Sequence, residues 1–345
     1  MEKGKGDMVV VASDPYSWVS DAIKKQSSLF TSDEAVEMLN KGSWVREGEK
    51  IKVEFLPCFP NDKVCERRED VAYYYVYARV MADLKMKFPL TKFECQVLTQ
   101  MNRAPSQLHP NSWAFLRAFE VLMEFLECRP SLGLFFSLFQ VKGCWKGTYV
   151  NLNSFLGHSV FALYRTSYKS FQDMFVKVRS VLEEFPFYVN KYMCLRFSLY
   201  WSSEPIQILD VENKTEFEDL VLECLTSTEV MEEVLSCAEL IKWEDDSQSE
   251  VSVSEVCKDV GGEGGYTSSR VRHVSIKRRN DEGVTIGVDK IGEGCEKGKE
   301  KRMAIDEVEK AFKSHLSLHG YKGSEDLSSL WTEEYPFTAL AEDYG

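Results

Sequence analysis

Basic and aromatic side chains alternate through the middle of the chain, and they are the residues best suited to binding chemistry. The basic residues are Lys142, Lys146, Arg165, Lys169, Lys177 and Arg179. The aromatic residues among them are Trp145, Tyr149, Tyr164 and Tyr168. A sheet that offers cations to phosphates and rings to bases can hold single-stranded nucleic acid, so the six basic residues are candidate nucleic-acid-binding residues. The pattern also fits a sheet with a solvated basic face and an aromatic core face, and we favour this simpler interpretation.

Other residue patterns that could carry chemistry do not complete a motif. The glycine cluster Gly261–Gly265 lacks the Lys-Ser/Thr ending of a phosphate-binding loop. The chain has no Cys-x-x-Cys pair, and His315 and His319, spaced as zinc ligands on one helix face, lack a third ligand. The segment "GHSVF" differs from the Gly-x-Ser-x-Gly turn of a hydrolase nucleophile. The sequence therefore predicts no catalytic residue, no metal ligand and no cofactor.

The composition predicts an intracellular protein with a large core. The chain has 345 residues, of which 44% are hydrophobic and 12% aromatic, and it contains ten cysteines. The longest apolar stretch, Leu132 to Val141, is roughly half the length that a bilayer crossing needs. No secretion signal is visible, so we expect the cysteines to be reduced and mostly buried. The sequence does not distinguish the nucleus from the cytoplasm.

The negative charge is concentrated in one part of the chain. The formal net charge is -13, but residues 204–259 hold seventeen acidic and three basic side chains. Residues 85–200 hold fourteen basic and seven acidic side chains, which gives them a net charge of +7. The low average isoelectric point therefore does not exclude an anionic partner for the central region.

Helix-capping patterns mark several helix starts. Ser32 or Thr31 can cap a helix that ends at Gly42. Thr91 with Glu94 three residues later has the capping-box spacing, and so does Thr215 with Glu218. The chain is therefore expected to form helices after each of these positions.

The most apolar helix is predicted for Trp113–Leu126. Its charged residues Arg117, Glu120 and Glu124 fall on one narrow stripe, and every other position is apolar. A helix with so thin a polar face is surrounded on most sides, so we expect it to lie at the centre of its domain. His109-Pro110 precedes it, and Asn111 or Ser112 can cap it.

Short aromatic and β-branched segments after Trp145 predict a small antiparallel sheet packed on the preceding helices. The segment 51–60 fits a short edge strand or an extended arm because two prolines interrupt it. The segment "VAYYYVYARVMADL" fits a strand or a helix, and we favour a helix. The predicted fold is therefore α+β: a helical N-terminal half with a central buried helix, a small sheet, then a helix and a largely disordered C-terminal tail.

Composition divides the chain into five regions. We expect disorder over residues 1–12, a helical and extended region over 13–87, and an α+β domain over 88–242. Residues 243–302 are rich in Gly, Ser and charged residues, which predicts a disordered linker. Residues 303–345 are expected to form a short helix and a tail, with Ile305, Val308, Phe312 and Leu316 on one helix face.

Several ordered segments resemble a known family. They include "APSQLHPNSWAF", "PSLGLFFSLFQVKG", "FPFYV" and "LYWSSEPIQIL", and the similarity runs from about Phe88 to Leu209. These segments resemble the gypsy-type transposon domain found in plant proteins that derive from transposable elements. The family label includes the word transposase, but the resemblance implies no catalytic residues because none are established for this domain.

Three functional hypotheses follow. The leading one is a transposable-element-derived plant protein that is not an enzyme and that binds protein or nucleic acid. The first alternative is a nucleic-acid-binding protein that uses the six basic residues, and the second is a degenerate metal-dependent transposase or nuclease. No membrane and no small-molecule substrate are expected as partners. The binding partner and the oligomeric state stay open.

Overall fold

The computed structural model describes most of the chain up to residue 242 and one helix near the C-terminus. The described residues are 14–67, 72–143, 147–156, 159–162, 171–181, 186–204, 206, 208, 214–227, 235–242 and 305–318. The predicted disordered segments 1–12 and 243–302 lie outside them. Within the described ranges, no helix combines the length and the apolar character that a membrane crossing requires.

The fold is α+β, as the sequence predicts. The helices are α1 (Asp21–Lys24), α2 (Asp33–Lys41), α3 (Ala78–Asp83), α4 (Lys92–Met101), α5 (Pro110–Phe125), α6 (Leu132–Leu138), α7 (Glu216–Leu225), α8 (Cys237–Lys242) and α9 (Ile305–Leu318). The strands are β1 (Val53–Leu56), β2 (Tyr74–Tyr77), β3 (Phe139–Lys142), β4 (Asn151–Ser154), β5 (Phe161–Ala162), β6 (Phe175–Ser180) and β7 (Leu235–Ser236). A single-turn 3-10 helix, Pro105–Gln107, connects α4 to α5.

The main sheet has three antiparallel strands in the order β1-β6-β2. Its outer strands come from the N-terminal side of residue 88 and its central strand from the other side, so the sheet joins the two regions that composition separates. All four residues of Tyr74–Tyr77 are buried. The helix favoured for this segment is therefore wrong at these residues, because consecutive aromatic and β-branched side chains suit a strand with both faces covered. The helical part of the segment begins only at Ala78.

The other strands form small pairs beside the helices. Strands β3 and β4 form an antiparallel hairpin, and β5 pairs with β7 in parallel. The segment Leu195–Leu199, where period-two alternation predicts a strand, makes only an isolated bridge between Leu195 and Val189. Its backbone is instead held at Arg196, whose N–H donates to the Tyr188 carbonyl at 2.9 Å and whose carbonyl accepts from the Thr99 hydroxyl of α4 at 2.6 Å.

The central helix α5 is buried as predicted. Every residue of α5 from Ser112 to Met123 except Glu120 is buried. The cap is His109 rather than Asn111 or Ser112: its Nδ1 accepts a hydrogen bond from the backbone N–H of Asn111 at 3.2 Å. Since Pro110 has no N–H, Asn111 is the first residue of the helix that needs an acceptor. The Ser112 hydroxyl instead accepts from the backbone N–H of Leu152 in β4 at 2.8 Å.

Candidate binding surface and the network that supports it

The predicted basic residues do not form one solvated face. Lys142 is exposed at the end of β3, whereas Lys177 is only 1% exposed and its Nζ lies 2.9 Å from Asp62 Oδ2. Arg179 is half-buried and pairs with Glu54 at 2.5 Å. The other three, Lys146, Arg165 and Lys169, lie outside the described residues.

The expectation of a solvent-facing cation at Lys177 is wrong because the face of β6 that carries Lys177 is covered by other parts of the chain. Rings from Phe59 and Tyr73 lie 4.8 and 4.9 Å from its Nζ, so the ammonium group is enclosed by aromatic faces as well as by the Asp62 carboxylate. Nucleic-acid binding through Lys142 and the three basic residues outside the described part stays a prediction.

The motif "NRAPSQ" binds the backbone of a distant segment. The guanidinium of Arg103, 1% exposed, donates to the carbonyl of Glu204 at 2.7 Å. The Gln107 amide donates to the carbonyl of Ser202 at 2.9 Å and accepts from its N–H at 3.1 Å. The Trp201 indole donates to the Ser106 hydroxyl at 3.0 Å. Two of the segments that resemble the transposon family are therefore direct contact partners, and these polar residues have a structural role.

Replacing Gln107 by alanine is expected to destabilise the protein by about 1–2 kcal/mol. The amide is buried and makes two hydrogen bonds with Ser202, and partly buried backbone groups that lose their partners cost about this much. Urea unfolding of the two proteins measures the difference. Gln96→Ala is the matched control: Gln96 is half-buried on α4, and its change should stay within about 0.5 kcal/mol. Equal losses for both variants would contradict this role of Gln107.

Four charged side chains link α4 and α5. Arg117, 2% exposed, lies 2.9 Å from Glu120 and 3.5 Å from the fully buried Glu94. Arg46 lies 3.2 Å from the other oxygen of Glu94. Glu94 also completes the predicted capping box by accepting from the Thr91 N–H at 2.7 Å. The stripe of charges predicted on α5 thus includes a buried ion network rather than only a solvated edge.

Burial changes the chemistry of the groups in and around this network. It raises the pKa of Glu120 to about 7, and the charge of nearby Glu94 raises it further in the same direction, while Arg117 opposes the shift. Burial also raises the pKa of the Cys58 and Cys95 thiols to about 12, so they are protonated at neutral pH.

The nuclease hypothesis predicts a group of side chains that could hold a metal ion. In the part of the chain that the structure describes, no three or more His, Cys, Asp or Glu side chains are grouped so that they could hold a metal ion. Of the two histidines spaced as zinc ligands, His315 lies on α9 and His319 lies outside the described residues.

A turn that carries apolar side chains projects from the surface. It comprises Asn190–Leu195, and we call it the apolar turn. Three of its side chains are more than half exposed: Tyr192 at 62%, Met193 at 52% and Leu195 at 53%. Large apolar groups clustered this way on a surface are typical of interaction sites. The sequence prediction missed it, because "FPFYVN" and "CLRFSLYW" on either side look like two core strands.

Hydrogen bonds fix the backbone of the apolar turn. The Asn190 side-chain oxygen accepts from the N–H groups of Tyr192 at 2.9 Å and Cys194 at 3.1 Å. The Asn190 N–H donates to the Cys194 carbonyl at 2.8 Å. Met193 has a φ of 62°, which is uncommon for a residue with a side chain and is typical of constrained functional positions. The turn is therefore a preorganised feature of the fold.

Aromatic packing anchors the base of the apolar turn. Tyr188 and Phe197 flank it, are buried, and both pack edge-to-face on Tyr74 of β2, with ring centroids 6.0 and 5.2 Å apart. The Tyr188 hydroxyl donates to the carbonyl of Ala72 at 3.0 Å. On the other side, the Thr99 hydroxyl of α4 donates to the Arg196 carbonyl at 2.6 Å. The turn thus projects from the rigid core and is held by α4 and β2.

Residues 76–143 match the profile of a protein family described as "Putative gypsy type transposon". The chain thus carries a gypsy-type transposon-related domain. The match confirms the first part of the resemblance seen in the sequence and extends it on the N-terminal side by the last two residues of β2 and by α3. The matched range contains the central helix α5 and every member of the ion network except Arg46. Comparisons with curated proteins and with solved structures give no match.

Proposed function

We propose that this chain is a transposable-element-derived plant protein that acts as an intracellular, non-catalytic binding domain. Its partner is another protein, and the apolar turn is the contact surface. The observation that carries the proposal is the exposure of Tyr192, Met193 and Leu195 on a backbone that internal hydrogen bonds already fix.

A fixed apolar turn favours binding for two physical reasons. Burying its three side chains removes apolar area from water, and Tyr and Met are residue types that recur at interface centres. Because the backbone is fixed before binding, little conformational entropy is lost when the turn binds its partner, and the affinity is reduced little by this cost. An internally satisfied backbone also leaves side chains, rather than main-chain groups, as the recognised features.

The charges beside the turn indicate the chemistry of the partner. Lys191 is exposed and lies over the Tyr192 ring at 4.9 Å, and the partly buried Arg196 follows the turn. No acidic residue lies between Asn190 and Ser198. An apolar pocket with acidic groups at its rim complements this surface.

The roles of the buried polar groups support a binding protein over an enzyme. Arg117, Glu94 and Glu120 neutralise one another between α4 and α5, and Arg103 and Gln107 bind backbone groups. Each of these side chains has a structural explanation that requires no reaction. The described cysteines are free thiols, which fits a reducing intracellular compartment.

The test is capture from plant nuclear and cytoplasmic extracts with the tagged full-length chain. The variant Tyr192→Ser/Met193→Asn/Leu195→Ser removes the apolar groups, and asparagine tolerates the positive φ of position 193. We expect the variant to capture about tenfold less of a protein partner from the extracts than the natural chain captures. The purified partner should then bind to the two chains with the same tenfold difference.

The matched control removes three exposed apolar side chains elsewhere, Leu29→Ser/Leu156→Ser/Leu318→Ser. It should capture the partner as well as the natural chain does. Nuclease treatment of the extracts should leave capture unchanged. Loss of capture after nuclease would instead favour the nucleic-acid hypothesis, and equal capture by the turn variant would refute the apolar turn as the contact surface.

A further inference from the structure

The C-terminal helix α9 returns to the folded domain and packs on α7. Phe312 and Leu316, four residues apart, are 2% and 5% exposed, so they lie on one helix face and are enclosed. On other faces Lys313 is exposed and Leu318 is 82% exposed. These two anchors confirm half of the predicted apolar face. The structure describes the side chains of α9 only from Lys310 onward, so the positions of Ile305 and Val308 on this face stay a prediction.

Helix α7 has apolar contacts on more than one side. It packs on α6 as well as on α9, and its buried residues are Phe217, Glu218, Leu220, Val221, Cys224 and Leu225. A ten-residue helix with this many apolar positions exposes part of them when α9 is removed. The α7 surface therefore offers apolar contacts to an amphipathic helix whose anchors are spaced i and i+4.

The length of α9 shows that its helical state depends on this contact. It has fourteen residues, and isolated helices of this length are marginal in water. The contact with α7 therefore supplies much of the free energy that stabilises the helix, and without this contact α9 is only marginally stable as a helix.

The chain between α8 and α9 allows the contact to form within one molecule or between two. Residues 243–304 separate the two helices and reach on the order of 200 Å when fully extended. A connection of this reach does not dictate which copy of α7 receives a given α9. Exchange of an identical element between two copies is a common route to a dimer when the connecting segment permits it.

We propose that the α7 surface is a binding site for an amphipathic helix, that α9 of the same chain occupies it, and that α9 of a second copy exchanges into it. The site recognises two large apolar anchors four residues apart, Phe312 and Leu316. At low protein concentration the tethered α9 has the advantage of a high effective concentration, and at high concentration the α9 of a second copy competes with it. The inference is independent of the apolar turn.

The test uses the full chain with its own α9 disabled. The variant Phe312→Ser/Leu316→Ser opens the site, and a fluorescent peptide of residues 303–320 serves as the probe. Fluorescence polarisation should show that this variant binds the peptide at least about tenfold more tightly than the natural chain, whose site is filled. The variant Lys310→Ser/Leu318→Ser changes two exposed positions and should behave as the natural chain. A peptide that carries the two serine substitutions should not bind.

A second measurement covers the case in which the open site collapses. A protease site placed between residues 260 and 265 allows the full chain to be cut after folding. The two fragments should stay together in gel filtration, and an excess of the unlabelled peptide should displace the C-terminal fragment. Separation of the fragments without peptide, or a fragment that excess peptide cannot displace, would overturn exchange at the α7 site. Equal peptide binding by all chain variants would overturn it as well.

Discussion

Replacing Lys177 by methionine is expected to lower the free energy of unfolding by about 3–5 kcal/mol, because it leaves the Asp62 carboxylate buried without its counter-charge. Lys177 is 1% and Asp62 2% exposed, and their charged atoms lie 2.9 Å apart. Methionine keeps the length and the apolar contacts of the side chain with Phe59 and Tyr73, so the charge is the main change. Urea unfolding followed by circular dichroism measures the loss.

Two comparisons show whether the loss comes from the unpaired charge. The double variant Lys177→Met/Asp62→Asn should recover much of the stability, because neither partner then carries a buried charge. Arg179→Met, on the same strand, removes an ion pair with Glu54 in which both side chains are about one-third exposed. That change should cost no more than about 1 kcal/mol. Equal losses at positions 177 and 179 would show that the buried ion pair has no special importance.

This expected loss changes how nucleic-acid binding should be tested. A charge reversal at Lys177 places a second carboxylate beside Asp62, so any lost binding would follow from unfolding. Lys142 is exposed on β3 and makes the informative substitution among the described basic residues. Salt-dependent binding that weakens with Lys142→Glu, in a chain that stays folded, is the evidence that the nucleic-acid hypothesis requires.

Local signals in the sequence were sufficient for the helix starts. Ser32, Thr91 and Thr215 are the observed caps, and the last two form complete capping boxes with Glu94 and Glu218. Each cap depends on a side chain and a backbone N–H three residues apart. Such interactions form within one helical turn, so the sequence spacing contains all the necessary information.

Pairings between distant residues could not be predicted in the same way. The strand β6 alternates between apolar and basic residues, which favours one solvated face, but Phe59 and Tyr73 cover Lys177 on that face. Strands β1 and β2 also pair with both edges of β6, so it is the central strand. Asp62, which neutralises Lys177, lies in the turn that follows β1. Neither the position of β6 in the sheet nor its buried acid is visible in its own sequence.

The edge of the same sheet shows a further pairing of this kind. Asn40 of α2 accepts a hydrogen bond from the Phe55 N–H at 2.8 Å and donates to its carbonyl at 3.0 Å. Its amide therefore replaces a neighbouring strand along β1, much as Gln107 does for Ser202. Such contacts cover exposed backbone groups, which limits pairing with another chain. An Asn near the end of a helix gives no sequence signal for this function.

The sequence does not predict the exposure of the apolar turn, and the reason is different. Its residues have the composition of a core strand, and hydrophobicity alone does not distinguish a buried side chain from one exposed for binding. Asn190 was the available signal, because Asn favours turns by bonding to the backbone two residues later. That signal indicates a turn between two strands, but it does not indicate which side chains the turn exposes.

The ion network between α4 and α5 makes the stability of the protein dependent on pH. Burial raises the pKa of Glu120 from its ordinary value of 4.5 to about 7 in the folded protein. The folded state therefore holds a proton that the unfolded state releases between these two values, and the contribution of Glu120 to stability is largest below pH 4.5. It is lost as the pH rises through about 7, and the loss is on the order of 3 kcal/mol.

The variant Glu120→Gln isolates this contribution, because glutamine resembles the protonated carboxyl group at every pH. Between pH 5 and pH 8 the natural protein should lose more stability than the variant does, by the amount that Glu120 contributes. Urea titrations at several pH values measure the difference. Glu124→Gln, one turn further along α5 and exposed, should leave the pH dependence of the natural protein unchanged. A constant difference between the natural protein and Glu120→Gln across this range would mean that Glu120 stays ionised among Arg117, Glu94 and Thr91. The network would then be held together mainly by its two arginines.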